Sequence, residues 1–188
     1  MGKEYTEIED GIQRWMKRQH LFFVSTAPLQ DDGHVNCSPK GLDSLLVLSP
    51  TRLAYADLGG SGIETVAHIK ENGRITLLMC AFDGPPKIYR FYGRGSVSEP
   101  HDKGFADLVA KFPALPSVRN VVTIDVERIV DSCGFGVPLY EFRKQRDSFD
   151  NYMADKDEQF MQNYRRERNA TSIDGLKGLE VDRIGETN

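Results

Sequence analysis

Lys40 is the charged residue whose surroundings most directly suggest binding chemistry. It lies in the segment Ser38-Pro39-Lys40-Gly41, at the end of a predicted strand, between a proline and a glycine. Proline fixes the backbone before the lysine, and glycine allows a turn after it. A lysine held in this way is suited to present a fixed positive charge to an anion. An ordinary solvated lysine is the other interpretation that these residues allow.

The glycine-rich turn Gly59-Gly60-Ser61-Gly62 is a second candidate anion site. It follows a short apolar strand, residues 53–56, and precedes an amphipathic helix that ends at Asn72-Gly73. Ser61 and Glu64 have the spacing of a capping box, and a helix N-terminus offers free N–H groups to an anion. The alternative is that Ser61 only caps the helix. The turn also lacks the lysine and the glycine spacing of the common nucleotide-binding motifs.

Composition narrows the class of protein. The chain has 188 residues, enough for one domain with a real core, and its net charge of −4 gives no basic surface for nucleic acid. No apolar run reaches membrane-spanning length, and the N-terminus is too polar for a signal peptide. The three cysteines (Cys37, Cys80 and Cys133) are widely spaced, which favours a reducing cytoplasm and disfavours a disulfide framework or a zinc site.

Short strands dominate the pattern of apolar residues. Helices are predicted only near residues 7–19, 63–72, 101–112 and 145–168. The predicted strands cover residues 21–27, 34–40, 45–49, 53–56, 74–82, 87–98 and 121–130. Six or seven strands with few intervening helices favour a mainly β fold, an antiparallel barrel with peripheral helices.

The region after residue 142 differs in composition from the rest. Residues 145–168 are heavily charged and carry an apolar stripe that includes Phe149, Tyr152, Phe160 and Tyr164. The stripe predicts a helix that packs on the barrel or on a partner subunit, and the polar tail after residue 168 shows no pattern. We therefore divide the chain into a barrel domain, residues 1–142, and a C-terminal helix and tail, residues 143–188.

The histidines show no metal-site spacing. His20, His34, His68 and His101 are scattered singly, and His68 is expected to be a polar surface residue of its helix. No Gly-x-Ser-x-Gly motif is present to supply a hydrolase nucleophile. No side chain is an obvious acid or base, so the catalytic residues are unknown at this stage.

Several motifs occur together in a fixed order. VNCSPKG begins at Val35, AYAD at Ala54, GSGIETVAHIKENGRITLLMCAF at Gly60, IYRFYGRG at Ile88 and SCGFGVPLYEF at Ser132. Together they resemble the pyridoxamine 5′-phosphate oxidase-like family of FMN-binding split barrels. The resemblance covers roughly residues 8–142.

The resemblance implies a homodimer with FMN at the subunit interface. It implies that Lys40 binds the phosphate, that Tyr55 and Ala56 lie along the flavin, and that Ser61 and Thr65 bind the phosphate at the helix start. With the neighbouring Ser38, Pro39 and Asp57, these residues form the predicted cofactor site.

Two departures from the family limit the expected activity. Its oxidase members carry an arginine-lysine pair where this chain has Glu64-Thr65, and they close with an arginine- and histidine-containing segment that residues 133–143 do not match. Modest FMN affinity and a substrate other than pyridoxamine phosphate are therefore expected. Two function classes stay open: an FMN-dependent oxidoreductase acting on an unidentified small molecule, and a flavin- or haem-binding protein without turnover. For haem, His34 and His68 are the candidate axial ligands.

Overall fold

The computed structural model describes residues 2–186. They form eight strands in one antiparallel sheet, five α-helices and a short 3-10 helix at Val181–Arg183. The strands are β1 (Glu4–Tyr5), β2 (Phe22–Thr26), β3 (Asn36–Lys40), β4 (Leu45–Ser49), β5 (Arg52–Leu58), β6 (Arg74–Cys80), β7 (Ile88–Ser98) and β8 (Val118–Ser132). The helices are α1 (Asp10–Met16), α2 (Glu64–Asn72), α3 (Phe105–Val109), α4 (Ser148–Met153) and α5 (Glu158–Arg168).

The sheet has the order β3-β2-β6-β7-β8-β5-β4, and β1 pairs with β8. The sheet curls into an open barrel. This is shown by the ion pair between Lys40 at the end of β3 and Asp57 on β5, which lie near opposite ends of the strand order. The predicted mainly β split barrel is therefore confirmed. The structure adds the two-residue strand β1, which is too short for a pattern of apolar residues to indicate.

The interior of the barrel is filled from nearly every strand. Its largest fully buried side chains include Tyr55, Phe91, Leu53, Leu77 and Ile124. Helix α1 closes one side with Ile12, Trp15 and Met16. Burial of each large apolar side chain stabilises the fold by about 1.5–3 kcal/mol, so this cluster supplies the rigid frame for the residues at the barrel rim.

Local signals in the sequence explain the ends of several elements. Gly73 ends α2 in the left-handed conformation, with φ of 71°, and its N–H donates to Ile69, as the Asn72-Gly73 pair predicts. Strands β4 and β5 pair as an antiparallel hairpin, and β6 is central, since it pairs with both β2 and β7.

Other boundaries differ from the prediction. Helices α1 and α3 are shorter than predicted, whereas β8 spans 15 residues. The single helix predicted over residues 145–168 is divided into α4 and α5, because Asp157 caps a new helix by accepting a hydrogen bond from the Phe160 N–H. None of the helices within residues 2–186 is long and apolar enough to cross a membrane.

Candidate functional site

A cleft opens where the end of β3, the middle of β5 and the start of α2 meet. Its volume is ≈ 370 Å³, and we call it the Lys40 cleft. Lys40 and four other predicted site residues line the cleft: Ser38, Pro39, Ala56 and Thr65. The remaining lining residues are Gly41, Leu42, Ser44, Leu58, Gly59, Gly60, Gly62, Glu64 and Arg119.

Lys40 does not stand as an isolated charge in this cleft. Its Nζ lies 2.6 Å from Oδ1 of Asp57, whose side chain is fully buried on β5. Burial alone would raise the pKa of Asp57, but the positive charges of Arg119 and Lys40 outweigh it and hold the pKa below its ordinary value. Asp57 is therefore an ionised carboxylate that fixes the lysine at the cleft.

Arg119 is a second cation at the cleft, and sequence reasoning missed it. Leu58 pairs with Val118 and Asp57 pairs with Asn120, so Arg119 is the extra residue of a β-bulge. A bulge redirects a side chain out of the regular alternation. Here Nε of Arg119 donates to Asp57 Oδ2 at 2.9 Å, and Nη1 donates to the Gly60 carbonyl at 2.8 Å. The cation is thereby tied to both the buried carboxylate and the glycine turn.

Asn120 completes the coordination of the carboxylate. Its Nδ2 donates to Asp57 Oδ2 at 3.1 Å. One buried carboxylate thus orients two cations, Lys40 and Arg119, and an amide. The sequence signal that could have indicated this group is the polar pair Arg119-Asn120 directly before the strongly apolar part of β8.

The glycine turn is held in place by the C-terminal part of the chain. Asn169, which is fully buried, donates from Nδ2 to the Gly60 carbonyl at 2.9 Å. At Gly59, an added Cβ would lie 2.9 Å from Met161 Cε and 3.0 Å from Ser117 Oγ, so α5 packs closely against the turn. The C-terminal helix therefore forms part of the support of the Lys40 cleft.

Thr65 presents a hydroxyl group at the first turn of α2. Asn36 of β3 donates from Nδ2 to Thr65 Oγ1 at 2.8 Å, which links the helix start to the strand that ends in Lys40. The predicted capping box is wrong: Ile63 is the N-cap, no side chain caps the helix, and Ser61 is exposed outside the cleft lining. The turn places Ser61 two residues before the N-cap, too early to satisfy the first helical N–H groups.

The chain is 39% identical over 194 residues to the pyridoxamine 5′-phosphate oxidase family protein ustO of Aspergillus flavus, covering 93% of this chain and 77% of that protein. The chain belongs to the pyridoxamine 5′-phosphate oxidase family. No model of a protein family matches the sequence.

Solved structures support the fold of this pyridoxamine 5′-phosphate oxidase family member. HupZ of Group A Streptococcus aligns with a TM-score of 0.52 at 21% identity, over 65% of this chain and 91% of that chain. A protein provisionally assigned as a pyridoxamine 5′-phosphate oxidase, from Lactobacillus delbrueckii, aligns with a TM-score of 0.50 at 18% identity, over 68% and 97%. At these identities the likeness concerns the barrel alone.

Tyr55 occupies a different position from the other predicted site residues of this family member. Its side chain is fully buried in the barrel core, packs against Phe22, and does not line the Lys40 cleft. Burial raises the pKa of its phenol well above the ordinary value, and the negative charge of Asp57 adds to this. In the structure, Tyr55 supports the wall beneath the cleft.

The histidines also lie away from the cleft. His68, predicted as a surface residue, is fully buried, and its Nδ1 lies 2.9 Å from Thr26 Oγ1 because α2 packs that face against β2. This prediction is wrong, since the helix is covered on both sides by the barrel and the C-terminal segment. His34 is exposed and pairs with Asp174 at 2.7 Å. Neither side chain lines the Lys40 cleft.

Proposed function

We propose that this protein is an FMN-binding flavoprotein and an oxidoreductase that acts on a small molecule. The observation that carries the proposal is the pairing of Lys40 and Arg119 at one cleft, with the Thr65 hydroxyl and the glycine turn on its wall. Membership of the pyridoxamine 5′-phosphate oxidase family supports the same cofactor class.

The residues of the cleft suit the phosphate of FMN. Lys40 and Arg119 share a single carboxylate, which leaves one net positive charge to attract a phosphate anion to a partly buried site. Thr65 offers a hydroxyl donor, and glycine at positions 59 and 60 permits close approach of a ligand to the backbone. In this proposal Ser38, Pro39 and Ala56 contact the cofactor, Asp57 positions the cations, and Ser61 borders the entrance.

Glu64 is the group that opposes phosphate binding, and the structure supplies a restraint on it. The carboxylate lines the cleft, but its Oε1 accepts a hydrogen bond from the Ile173 N–H at 3.4 Å. The C-terminal segment thus restrains one carboxylate oxygen, while Oε2 stays close to Gly62 of the turn. We expect the remaining repulsion to weaken FMN binding without preventing it.

Bound flavin would supply the electron-transfer chemistry, and this chain would supply binding, orientation and electrostatics. We assign no catalytic side chain, because the titratable groups at the cleft are engaged in ion pairs or in cofactor binding. A flavin-binding protein without turnover is the second candidate. The three free cysteines support a reducing compartment such as the cytoplasm.

A homodimer is part of the proposal. Large apolar side chains are exposed on the segment that follows β8, including Phe135 (82% exposed) and Leu139 (76% exposed), and on the C-terminal helices. Extended apolar patches are uncommon on monomers and mark interaction surfaces. A second copy of the chain covering this surface would also close the open side of the barrel against the cofactor.

Titration with FMN at micromolar protein concentration and low salt tests the proposal. We expect binding to change the two-band absorbance spectrum of the flavin. We also expect that protein purified without added flavin is yellow. Bound flavin that is reduced or reoxidised only when a candidate substrate is added supports the oxidoreductase. Binding with no such response across substrates and electron donors supports the non-catalytic candidate, and absence of FMN binding overturns both.

A further inference from the structure

Arg119 borders a second cavity in addition to the Lys40 cleft. This cavity has a volume of ≈ 210 Å³ and lies between the start of β8 and the C-terminal elements α5 and the 3-10 helix. Arg165 on α5 and Arg183 line it together with Arg119, and we call it the Arg165 cavity. Its three lining carboxylates belong to Glu99, Glu158 and Glu186.

Arg165 is buried, although the helix that carries it, α5, is rich in charged residues. It is only 6% exposed, because α5 turns this side chain toward the barrel. Nη1 donates to Glu158 Oε1 at 3.1 Å, and Nη2 donates to Ser117 Oγ at 3.3 Å. Its Nε is buried and has no hydrogen-bond partner among the described residues. A buried guanidinium N–H without an acceptor costs free energy, so a partner for it is expected.

The charges around the cavity favour a negatively charged partner. Asp57 already pairs with two cations, Lys40 and Arg119. Glu158, the partner of Arg165, has a side chain that is 67% exposed, so it compensates the buried charge of Arg165 only weakly. The other lining carboxylates are already paired, Glu99 with Lys70 and Glu186 with Arg183. Burial lowers the pKa of Arg165; Glu158 opposes this, and the positive charge of Arg119 adds to the lowering. The two buried guanidinium groups, of Arg165 and Arg119, therefore repel each other.

We propose that the Arg165 cavity binds a phosphate group, held by the guanidinium groups of Arg165 and Arg119. Guanidinium groups offer several N–H donors in a plane that match phosphate oxygens, and a dianion in the cavity would relieve the repulsion between the arginines. The site is separate from the cofactor position in the Lys40 cleft, although Arg119 borders both. The phosphate comes either from the free ion or from a phosphomonoester.

Calorimetric titration of the full-length protein with inorganic phosphate, at constant ionic strength, tests the site. A parallel titration with glycerol 3-phosphate distinguishes the sources: binding of phosphate alone indicates the free ion, and binding of both indicates a monoester. Arg165→Gln should weaken phosphate about tenfold or more, as loss of a charge-assisted hydrogen bond predicts. Arg168→Gln is the matched control, since Arg168 is exposed on the same helix and should leave affinity unchanged.

Glu158→Gln gives the sharpest result, because it removes the exposed competitor for Arg165 without touching the arginine. We expect this variant to bind phosphate more tightly than the wild type. A purely structural ion pair predicts no gain, and unchanged or weaker binding in Glu158→Gln would overturn the proposal even if Arg165→Gln failed to fold.

The position of the bound phosphate is tested independently of flavin. Phosphate affinity should survive in Lys40→Ala, which changes the Lys40 cleft and leaves Arg165 and Arg119 in place. If Lys40→Ala abolishes phosphate binding, the ion occupies the Lys40 cleft and the proposal is wrong. Because the Lys40→Ala experiment requires no flavin, failure of FMN to bind leaves this test intact.

Discussion

The Nζ atom of Lys40 and the Oδ1 atom of Asp57 lie 2.6 Å apart, and this ion pair joins the end of β3 to β5 across the open barrel. The side chain of Lys40 is 20% exposed and that of Asp57 is 1% exposed, so the cation lies between a buried carboxylate and the cleft. Lys40 consequently has both a structural partner and a face toward the cleft. Variants at the two positions should separate these roles.

Lys40→Ala should weaken FMN binding by about 1.5–3 kcal/mol, the range for losing a charge-assisted hydrogen bond. Riboflavin, which lacks the phosphate, should lose far less affinity. Fluorescence titration with both ligands measures the difference. Lys103→Ala, at an exposed lysine outside the cleft lining, is the control and should change neither affinity. Equal losses for the two ligands in Lys40→Ala would show that the lysine serves the fold alone.

Asp57→Asn should lower the free energy of unfolding by about 3–5 kcal/mol, because Lys40 and Arg119 would keep their charges without the buried partner. Chemical denaturation at neutral pH measures this change. The exposed pair of Arg52 and Asp125 provides the control, since both side chains are more than half exposed. Asp125→Asn should cost no more than about 1 kcal/mol. A small effect at Asp57 would contradict the central position given to its carboxylate.

The same carboxylate predicts how stability depends on pH. The pKa of Asp57 is lower in the folded state than its ordinary value, so the folded protein binds that proton less tightly than the unfolded chain does. The stabilisation is present above the ordinary carboxylate pKa of about 4 and is lost as the pH falls toward the lower folded-state pKa. The difference in stability between wild type and Asp57→Asn should therefore be largest near neutral pH and shrink in acid. A difference that grows in acid would mean that another group controls the effect.

Asn169→Ala should destabilise the glycine turn. The amide of Asn169 is buried, and its loss leaves Arg119 as the side-chain donor to the Gly60 carbonyl. We expect a loss of about 1–2 kcal/mol in the free energy of unfolding and weaker FMN binding, since the turn forms one wall of the cleft. Asn163→Ala, at an exposed position on α5, should change stability by no more than a few tenths of a kcal/mol. Unaltered FMN affinity in Asn169→Ala would show that the cleft does not depend on this contact.

The parts of the fold that sequence could predict are those set by local chemistry and regular patterning. The period-two alternation in β8 and the Asn72-Gly73 helix end are readable because each depends on near neighbours along the chain. Arg119 was not readable, because its function arises from a bulge whose register depends on the pairing of β5 with β8. The burial of His68 was missed for a similar reason: the helix is covered by segments distant in sequence.

The packing of the C-terminal helices α4 and α5 could also not be predicted from local sequence, and it bears on how the protein assembles. Their apolar stripe predicts packing on the barrel or on a partner, and Met161 and Asn169 contact the chain's own glycine turn. Two other residues of the stripe are exposed, Tyr152 on α4 at 48% and Phe160 on α5 at 39%. Lys156 lies over both rings, which orders them into one surface.

The double variant Tyr152→Ser and Phe160→Ser should convert the proposed homodimer to a monomer. It removes the exposed apolar side chains of the C-terminal helices and leaves the contacts of Met161 and Asn169 with the glycine turn in place, so circular dichroism should report an intact fold. Light scattering measures the mass, and FMN titration should show weaker binding if the cofactor lies at the interface. Truncation after Phe142 is the complementary variant, because it removes both faces of the helix. The opposite outcome is that the double variant and the truncated chain both remain dimers and keep their FMN affinity. That outcome would place the interface on the barrel and exclude the C-terminal helices from it.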